Sequence, residues 1–371
     1  MMPRVRAARR RRYAAAVAAL SDRLAARTLE LVDIPSESRD EAAVRDHLVM
    51  LVPPVYEPEF EGDEAFLFAR ERRSDVPLVL LAGHYDTVPA QDNLPGRIEN
   101  NAVFGLGAAD MKGGVAVALE LVRDLAREEP GPFDVALLLF GREELPSQFS
   151  PLPALFEGSR LVHDTTLAIL LEPTACAIQA GCVGNMNARV TFRGVSGHSA
   201  RPWLARNAIH AAIGGLARVA TLPRREVVIS GLPFYEVASV TRFEAGIADN
   251  VIPDRATATI NYRYPPDRTS EEARAYLRSL FPEDAEVEID GDAPPARVVA
   301  DAPLVQALGA AGDLAVEPKQ AWTNVADFTS RGIDAVNFGP GDPAFAHRRD
   351  ERVEIAALVR CYETLRRFLS G

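Results

Sequence analysis

The chain has 371 residues, 47% of them hydrophobic, enough for two domains and a sizeable core. A net charge of −11 and a pI near 5.2 argue against nucleic acid or an anionic membrane as partner, because phosphate is repelled. Three cysteines, Cys176, Cys182 and Cys361, fit no zinc-knuckle spacing and point to a reduced, cytoplasmic protein.

In chain order, Arg4, Arg6 and Arg9 to Arg12 precede YAAAVAAL. Asp22 and Arg23 cut that apolar stretch short of a signal peptide, so it reads as an overlong start or a basic lead-in to a helix. No apolar run is long enough to span a bilayer. Only two lysines occur, Lys112 and Lys319. Residues 13 to 33 and 41 to 51 have helical periodicity. VPLVLLAGHYD then reads as a buried strand that runs into His84 and Asp86, and a hairpin is expected through GRIENNAVFG. GLGAADMKGGVAVALELVRDLA turns from a glycine-rich loop into a helix expected to begin near Met111. Two more buried strands, at 133–140 and 165–171, run into Glu143 with Glu144 and into Glu172. Runs this apolar are those of parallel strands covered on both faces, and in such sheets ligands bind outside the carboxyl ends of the strands.

After Gly184 the pattern changes to alternating strands and two amphipathic helices, the second opened by a Ser270 cap. This predicts a β-α-β-β-α-β unit, with one antiparallel sheet and two helices on one face. From about Asp301 the α/β pattern resumes, with AVNFGPG as a sheet strand and a closing helix from Val353. The expected organisation is a discontinuous α/β catalytic domain, residues 1–183 and 291–371, with a mixed, largely parallel sheet. An α+β insertion occupies residues 184–290.

Each chemical signal has a plain structural alternative. His84 and Asp86 share one strand face, so Asp86 can orient the imidazole, but an isolated H-x-D pair also fits a structural histidine. Asp110 stands where a helix cap is common. Glu143 and Glu144 leave a strand toward different sides, which permits one to hold metal and the other to carry protons, or makes them a solvated pair. Glu172-Pro173 fits a ligand or a turn. His47, His163 and His210 read as structural.

The combination H-x-D, AADMKGG, EE, LEPT and a late His347 resembles the dinuclear zinc aminoacylase and carboxypeptidase family of metallopeptidases, over nearly the whole chain. The resemblance implies a zinc-peptidase-like fold and two zinc ions, with cobalt or manganese as substitutes. Asp110 would bridge the ions, His84 and Glu172 would complete one site, and Glu144 and His347 the other. Glu143 would be the general acid/base, with Asp86 orienting His84. The insertion would be a dimerisation domain, giving a homodimer.

GCVG at 181–184, SGHSARPWLARNAIH at 196–210, NVIPD at 250–254, NYRYPPD at 261–267 and AVNFGPGDPAFAH at 335–347 are similar to the succinyl-diaminopimelate desuccinylase branch, of the actinobacterial type. That implies a small N-acyl amino acid as substrate. His198 would reach the oxyanion in the partner's active site, and Asn250 and Arg263 would bind substrate carboxylate. In WTNVADF, Thr323 is kept as a substrate contact, but Asn324 takes the branch's aspartate position and Asp327 stands where arginine is common. Acetylornithine deacetylases, aminoacylases and dipeptidases or carboxypeptidases of the family are alternatives. A non-catalytic amino-acid-binding protein on the same fold is a further one.

Overall fold

The computed structural model describes residues 2–371, with side chains from residue 16 onward. The side chains of Arg4, Arg6 and Arg9 to Arg12 lie outside the described residues, although their backbone belongs to the first helix. The chain opens with α1 (Met2–Val32), α2 (Ala42–Leu51), β1 (Glu57–Glu61), β2 (Ala65–Ala69), β3 (Leu78–His84) and the hairpin β4 (Arg97–Glu99) and β5 (Ala102–Phe104). Then come α3 (Gly113–Leu125), β6 (Asp134–Phe140), α4 (Leu152–Gly158), β7 (Thr165–Leu170) and β8 (Ile178–Cys182). The middle of the chain holds β9 (Gly184–Arg193), β10 (Gly197–His198), α5 (Ala208–Ala220), β11 (Arg225–Ile229), β12 (Leu232–Ala245), β13 (Val251–Ile252), β14 (Arg255–Tyr264), α6 (Ser270–Ser279) and β15 (Glu286–Ala293). It ends with α7 (Pro303–Gly312), β16 (Val316–Lys319), α8 (Val325–Thr329), β17 (Asp334–Asn337), β18 (Arg352–Glu354) and α9 (Ile355–Ser370).

Two compact units result. The first comprises Met1–Ala180, Val299–Glu317 and Asp327–Gly371, and the second Gly181–Val298 and Pro318–Ala326. The second unit thus runs on to residue 298 and takes in 318–326, so Thr323 and Asn324 belong to it.

The first unit is built on an eight-stranded sheet in the order β1-β2-β6-β3-β7-β17-β8-β16. Its centre, β6-β3-β7-β17, is parallel, and β2 and β8 join it antiparallel. Every residue of β3 and β6 is buried, as their unbroken apolar runs require. Each such Leu or Val contributes about 1.5–3 kcal/mol of burial. Parallel pairing brings the carboxyl ends of β3, β6 and β7 to one edge. Among the described residues no helix is long and apolar enough to cross a membrane.

The second unit is a five-stranded sheet, β11-β12-β14-β9-β15, whose neighbours all pair antiparallel. It has one strand more than expected, since β11 is an edge strand whose half-buried alternation carries little apolar contrast. Ala256, Ala258, Ile260, Tyr262 and Tyr264 of β14 form one core with Phe192 of β9, Ala212 of α5 and Leu277 of α6. The alternate residues of β14, among them Asn261 and Arg263, therefore face the other side of the sheet. The cap of α6 is Thr269, not Ser270: its side chain accepts from Glu272 N–H, and Glu272 reaches back in a capping box.

Candidate metal centre

The strand β3 ends on His84, and strand alternation turns the next side chain, Tyr85, away to donate to Glu64 Oε2 at 2.8 Å. Asp86 comes back to the side of His84. Both are fully buried, and His84 Nδ1 lies 3.2 Å from the Asp86 carbonyl oxygen and 3.4 Å from Asp86 Oδ1. Two routes from one residue thus orient the ring. The Asp86 carboxylate also accepts the backbone N–H of Glu143 at 3.0 Å, that of Glu144 at 3.2 Å and the Ser38 hydroxyl at 2.6 Å. Burial pushes its pKa up, but His84, Ser38 and the Glu143 N–H outweigh burial and hold it below the usual carboxylate range. Asp86 is the joint through which the end of β3 fixes the turn after β6. Ser38 carried no signal in the sequence, because its contact spans 48 residues.

The turn after β6 places Arg142 at φ +60 and delivers Glu143 and Glu144. Glu172 follows the end of β7, where backbone crowds Leu171. A Cβ on Gly114 would stand 2.3 Å from the Leu171 carbonyl oxygen, and one on Gly339 2.2 Å from it. Only glycine lets α3 and the loop after β17 close on this strand end.

Asp110 enters from a tight turn, Ala108–Lys112, that precedes α3. The helix begins at Gly113 rather than near Met111, since Asp110 (φ −124, ψ 94) and Met111 (φ −131, ψ 34) are not helical. This departure points Asp110 at two imidazoles. Its Oδ1 lies 3.2 Å from His84 Nε2, and its Oδ2 lies 3.5 Å from His347 Nε2. His347 also stands 2.8 Å from Glu144 Oε1 and adopts φ +58, a strained conformation of the kind that clusters at functional sites.

The expected ligands therefore fall into two overlapping triads, His84–Asp110–Glu172 and Asp110–Glu144–His347. Within each, the donor atoms lie within 4.8 Å of one another. A third triad, His84–Glu143–Glu144, meets the same limit. The hydrogen bond to Glu144 foremost lifts the His347 pKa to about 9, despite partial burial. Burial opposes charging of His84, yet Asp110 and Asp86 raise its pKa well above the ordinary imidazole value. Burial, and then the negative charges of Glu172, Glu144 and Asp110, raise the Glu143 carboxyl well above the carboxylate range, against the pull of His84. Three carboxylates, Asp110, Glu144 and Glu172, and two imidazoles, His84 and His347, form a donor set that could hold divalent cations, with Glu143 beside them, and the O/N composition suits zinc.

The other expected site residues, His198, Asn250, Arg263 and Thr323, lie in the second unit. His198 is exposed on β10, which pairs with β13, and its Nδ1 accepts Ala200 N–H at 3.1 Å. Asn250 is next to it, its carbonyl accepting Ser199 N–H at 3.0 Å. Arg263 is half-buried, which lowers its pKa. Its Nε donates to Asn261 Oδ1 at 3.0 Å, and Asn261 in turn donates to Asn185 and Asn187 at 2.8 Å each. Thr323 is buried, and its carbonyl accepts the Cys182 thiol at 3.8 Å. Asn324 is buried, and the Asp327 carbonyl accepts Arg331 Nη1 at 2.8 Å. His47 pairs with Glu30 at 2.7 Å and His163 with the Phe156 carbonyl at 2.7 Å, while His210 is exposed in the first turn of α5.

Known proteins resemble this chain in sequence and in fold. Residues 80–371 match the model of peptidase family M20/M25/M40. A protein of Mycobacterium tuberculosis named as a succinyl-diaminopimelate desuccinylase is 41% identical over 350 residues, 93% of this chain and 97% of its own. The succinyl-diaminopimelate desuccinylase of Corynebacterium glutamicum is 36% identical, over 92% and 95% of the two chains. Aminopeptidase PepT of Bacillus cereus superposes with a TM-score of 0.78 at 19% identity, over 94% and 98%, a likeness of fold.

Proposed function

The chain belongs to peptidase family M20/M25/M40, and from that premise we propose that it is a metal-dependent amidohydrolase whose substrate is N-succinyl-LL-2,6-diaminopimelate. The observation that carries the chemistry is that Asp110 belongs to two donor triads at once, with Glu143 beside both. The substrate is assigned from the relatives that bear that name over nearly their whole length.

In this reading His84, Asp110 and Glu172 would hold one zinc ion, and Asp110, Glu144 and His347 the other. Bound zinc supplies Lewis acidity and makes water nucleophilic near neutral pH. Glu143 is half-buried and within reach of His84 and Glu144, a place suited to taking a proton from the attacking water and returning it to the departing amine nitrogen. Asp86 keeps the His84 ring in place. His198 of a second protomer stabilises the oxyanion. Arg263 and Asn250 take a substrate carboxylate, and Thr323 lines the substrate. The asparagine ladder of 185, 187 and 261 supports this role by fixing the Arg263 guanidinium in advance.

A homodimer through the second unit is supported by β12. Residues 225–229 cover one edge of it only as far as Glu236, and among the described residues no strand pairs beyond that on the same edge. Val240 and Phe243 are exposed along this stretch and Ile247 two residues past its end, an edge suited to a second copy. Three buried free cysteines fit the reducing cytoplasm.

The test is a substrate panel on zinc-loaded protein: N-succinyl-diaminopimelate, N-acetylornithine, N-acetyl amino acids and dipeptides. The succinyl compound should exceed the others in kcat/KM by at least about tenfold. Preference for an acetyl or peptide substrate would move the assignment elsewhere in the family, with Asn324 and Asp327 as the first residues to exchange.

A further inference from the structure

Four residues past His347 the chain buries a carboxylate that the assignments above leave without a task. Glu351 is 2% exposed. Its Oε1 accepts the backbone N–H of Ala109 at 3.0 Å and that of Asp110 at 3.1 Å, and its Oε2 accepts the N–H of Gly107 at 3.0 Å. The Glu351 carbonyl accepts Gly105 N–H at 3.0 Å. One residue thus holds four amides in the stretch from 105 to 110.

That stretch needs an external tie. Gly107 is at φ +77, and Asp110 and Met111 depart from helical angles. The turn that aims the Asp110 carboxylate has backbone bonds of its own, Ala108 N–H to the Gly105 carbonyl at 3.1 Å and Lys112 N–H to the Gly107 carbonyl at 2.8 Å, and these use amides other than the four that Glu351 holds. The segment 347–351 is also irregular, with His347 at φ +58. It is pinned at its start, where Gln91 Nε2 donates to the His347 carbonyl at 3.1 Å and Asn93 Nδ2 to the Arg348 carbonyl at 3.2 Å. At its end it is pinned by Glu351 to the Asp110 turn.

We propose that Glu351 is a positioning residue that sets the Asp110 carboxylate against the His347 imidazole. With one end of the segment on Gln91 and Asn93 and the other on residues 105–110, the pair that joins the two triads keeps its spacing before any cation arrives. A carboxylate is the group for this task, because both oxygens accept and neither donates. A glutamine would turn an NH₂ group toward one of the amide donors. This inference rests on the reading of Asp110 and His347 as ligands.

The experiment compares Glu351→Gln with Asp134→Asn in the full chain. Asp134 is a matched control: a buried carboxylate that also accepts a backbone N–H, at the opposite end of β6. Hydrogen exchange at the Gly107, Ala109 and Asp110 amides is measured in metal-stripped protein. Zinc affinity is measured by chelator competition, and the visible absorption of the cobalt form is recorded. Glu351→Gln should speed exchange at those amides, alter the cobalt spectrum and weaken zinc binding about 10–100-fold. Asp134→Asn should leave the cobalt spectrum and zinc affinity as in wild type, and should speed exchange at those amides no more than in the sheet as a whole. Glu351→Asp, too short to reach all three amides, should fall between, and it replaces the glutamine variant if that one does not fold.

Faster exchange with wild-type zinc affinity reduces Glu351 to a structural tie and overturns the positioning role. Equal losses in Asp134→Asn overturn it too, since they trace to general destabilisation. Wild-type protein that binds no zinc and cleaves no N-acyl amino acid is the failure of the functional reading instead. The exchange data then still decide whether Glu351 holds the turn.

Discussion

Asp134 opens strand β6, and Glu143 stands three residues past its close. The two carboxylates meet opposite surroundings. Asp134 accepts from Arg72 Nη1 at 2.6 Å, from Arg73 Nε at 2.7 Å and from the Arg73 backbone N–H at 2.9 Å. Glu143 faces Glu172, Glu144 and Asp110, whose charges raise its proton affinity, with His84 as the opposing influence. One strand thus carries a carboxylate supplied with cations at its amino end and one left among like charges at its carboxyl end. Conflict of the second kind is how a fold marks a working group, because no stability is gained by it.

The sharpest way to break this contrast is Glu143→Ala. Turnover should fall about 10³–10⁴-fold, the upper range for loss of a general acid/base. Metal content should stay near two per chain, and the melting temperature should stay near that of wild type. Metal analysis beside a succinate-release assay reads this out. Surviving turnover would move the proton carrier elsewhere and leave the acid cluster as a metal cage alone.

His198→Ala extends the contrast to the second unit, where the assigned residue is exposed and held by little more than a two-residue strand pair. A loss of about 10²–10³-fold in kcat is expected for an oxyanion donor, with metal content and melting temperature unchanged. Full activity would return His198 to an ordinary loop position and take the cross-subunit contribution with it.

These differences also explain what could be read from the chain. His84, Glu143, Glu144 and Glu172 were legible because buried apolar runs announce parallel strands, and such strands deliver their next residues to one edge. The turn carrying Asp110 was only half legible. Its glycines announced a loop, but periodicity cannot see a backbone that stays non-helical until Gly113. The Thr269 cap was available from T-x-x-E spacing and was displaced by the adjacent Ser270. Ser38 and Glu351 were beyond reach, since their partners lie 48 residues away and 241 to 244 residues away. A polar residue in a loop shows no periodicity, and only the folded backbone says which amide it meets.

The smallest effect on activity, and the one that completes the contrast, belongs to Asp134→Asn. Removing the charge leaves Arg72 and Arg73 without their shared carboxylate. Their side chains are 27% and 37% exposed, so water takes over part of that role. The cost should therefore be about 1–3 kcal/mol, rather than the larger penalty of a fully buried charge left alone. Urea denaturation should register that loss, while kcat/KM below the transition matches wild type. An activity loss that outruns the stability loss would mean that strain at the amino end of β6 reaches its carboxyl end. The two carboxylates would then be coupled through the strand, rather than separated into one that supports the sheet and one that works at its edge.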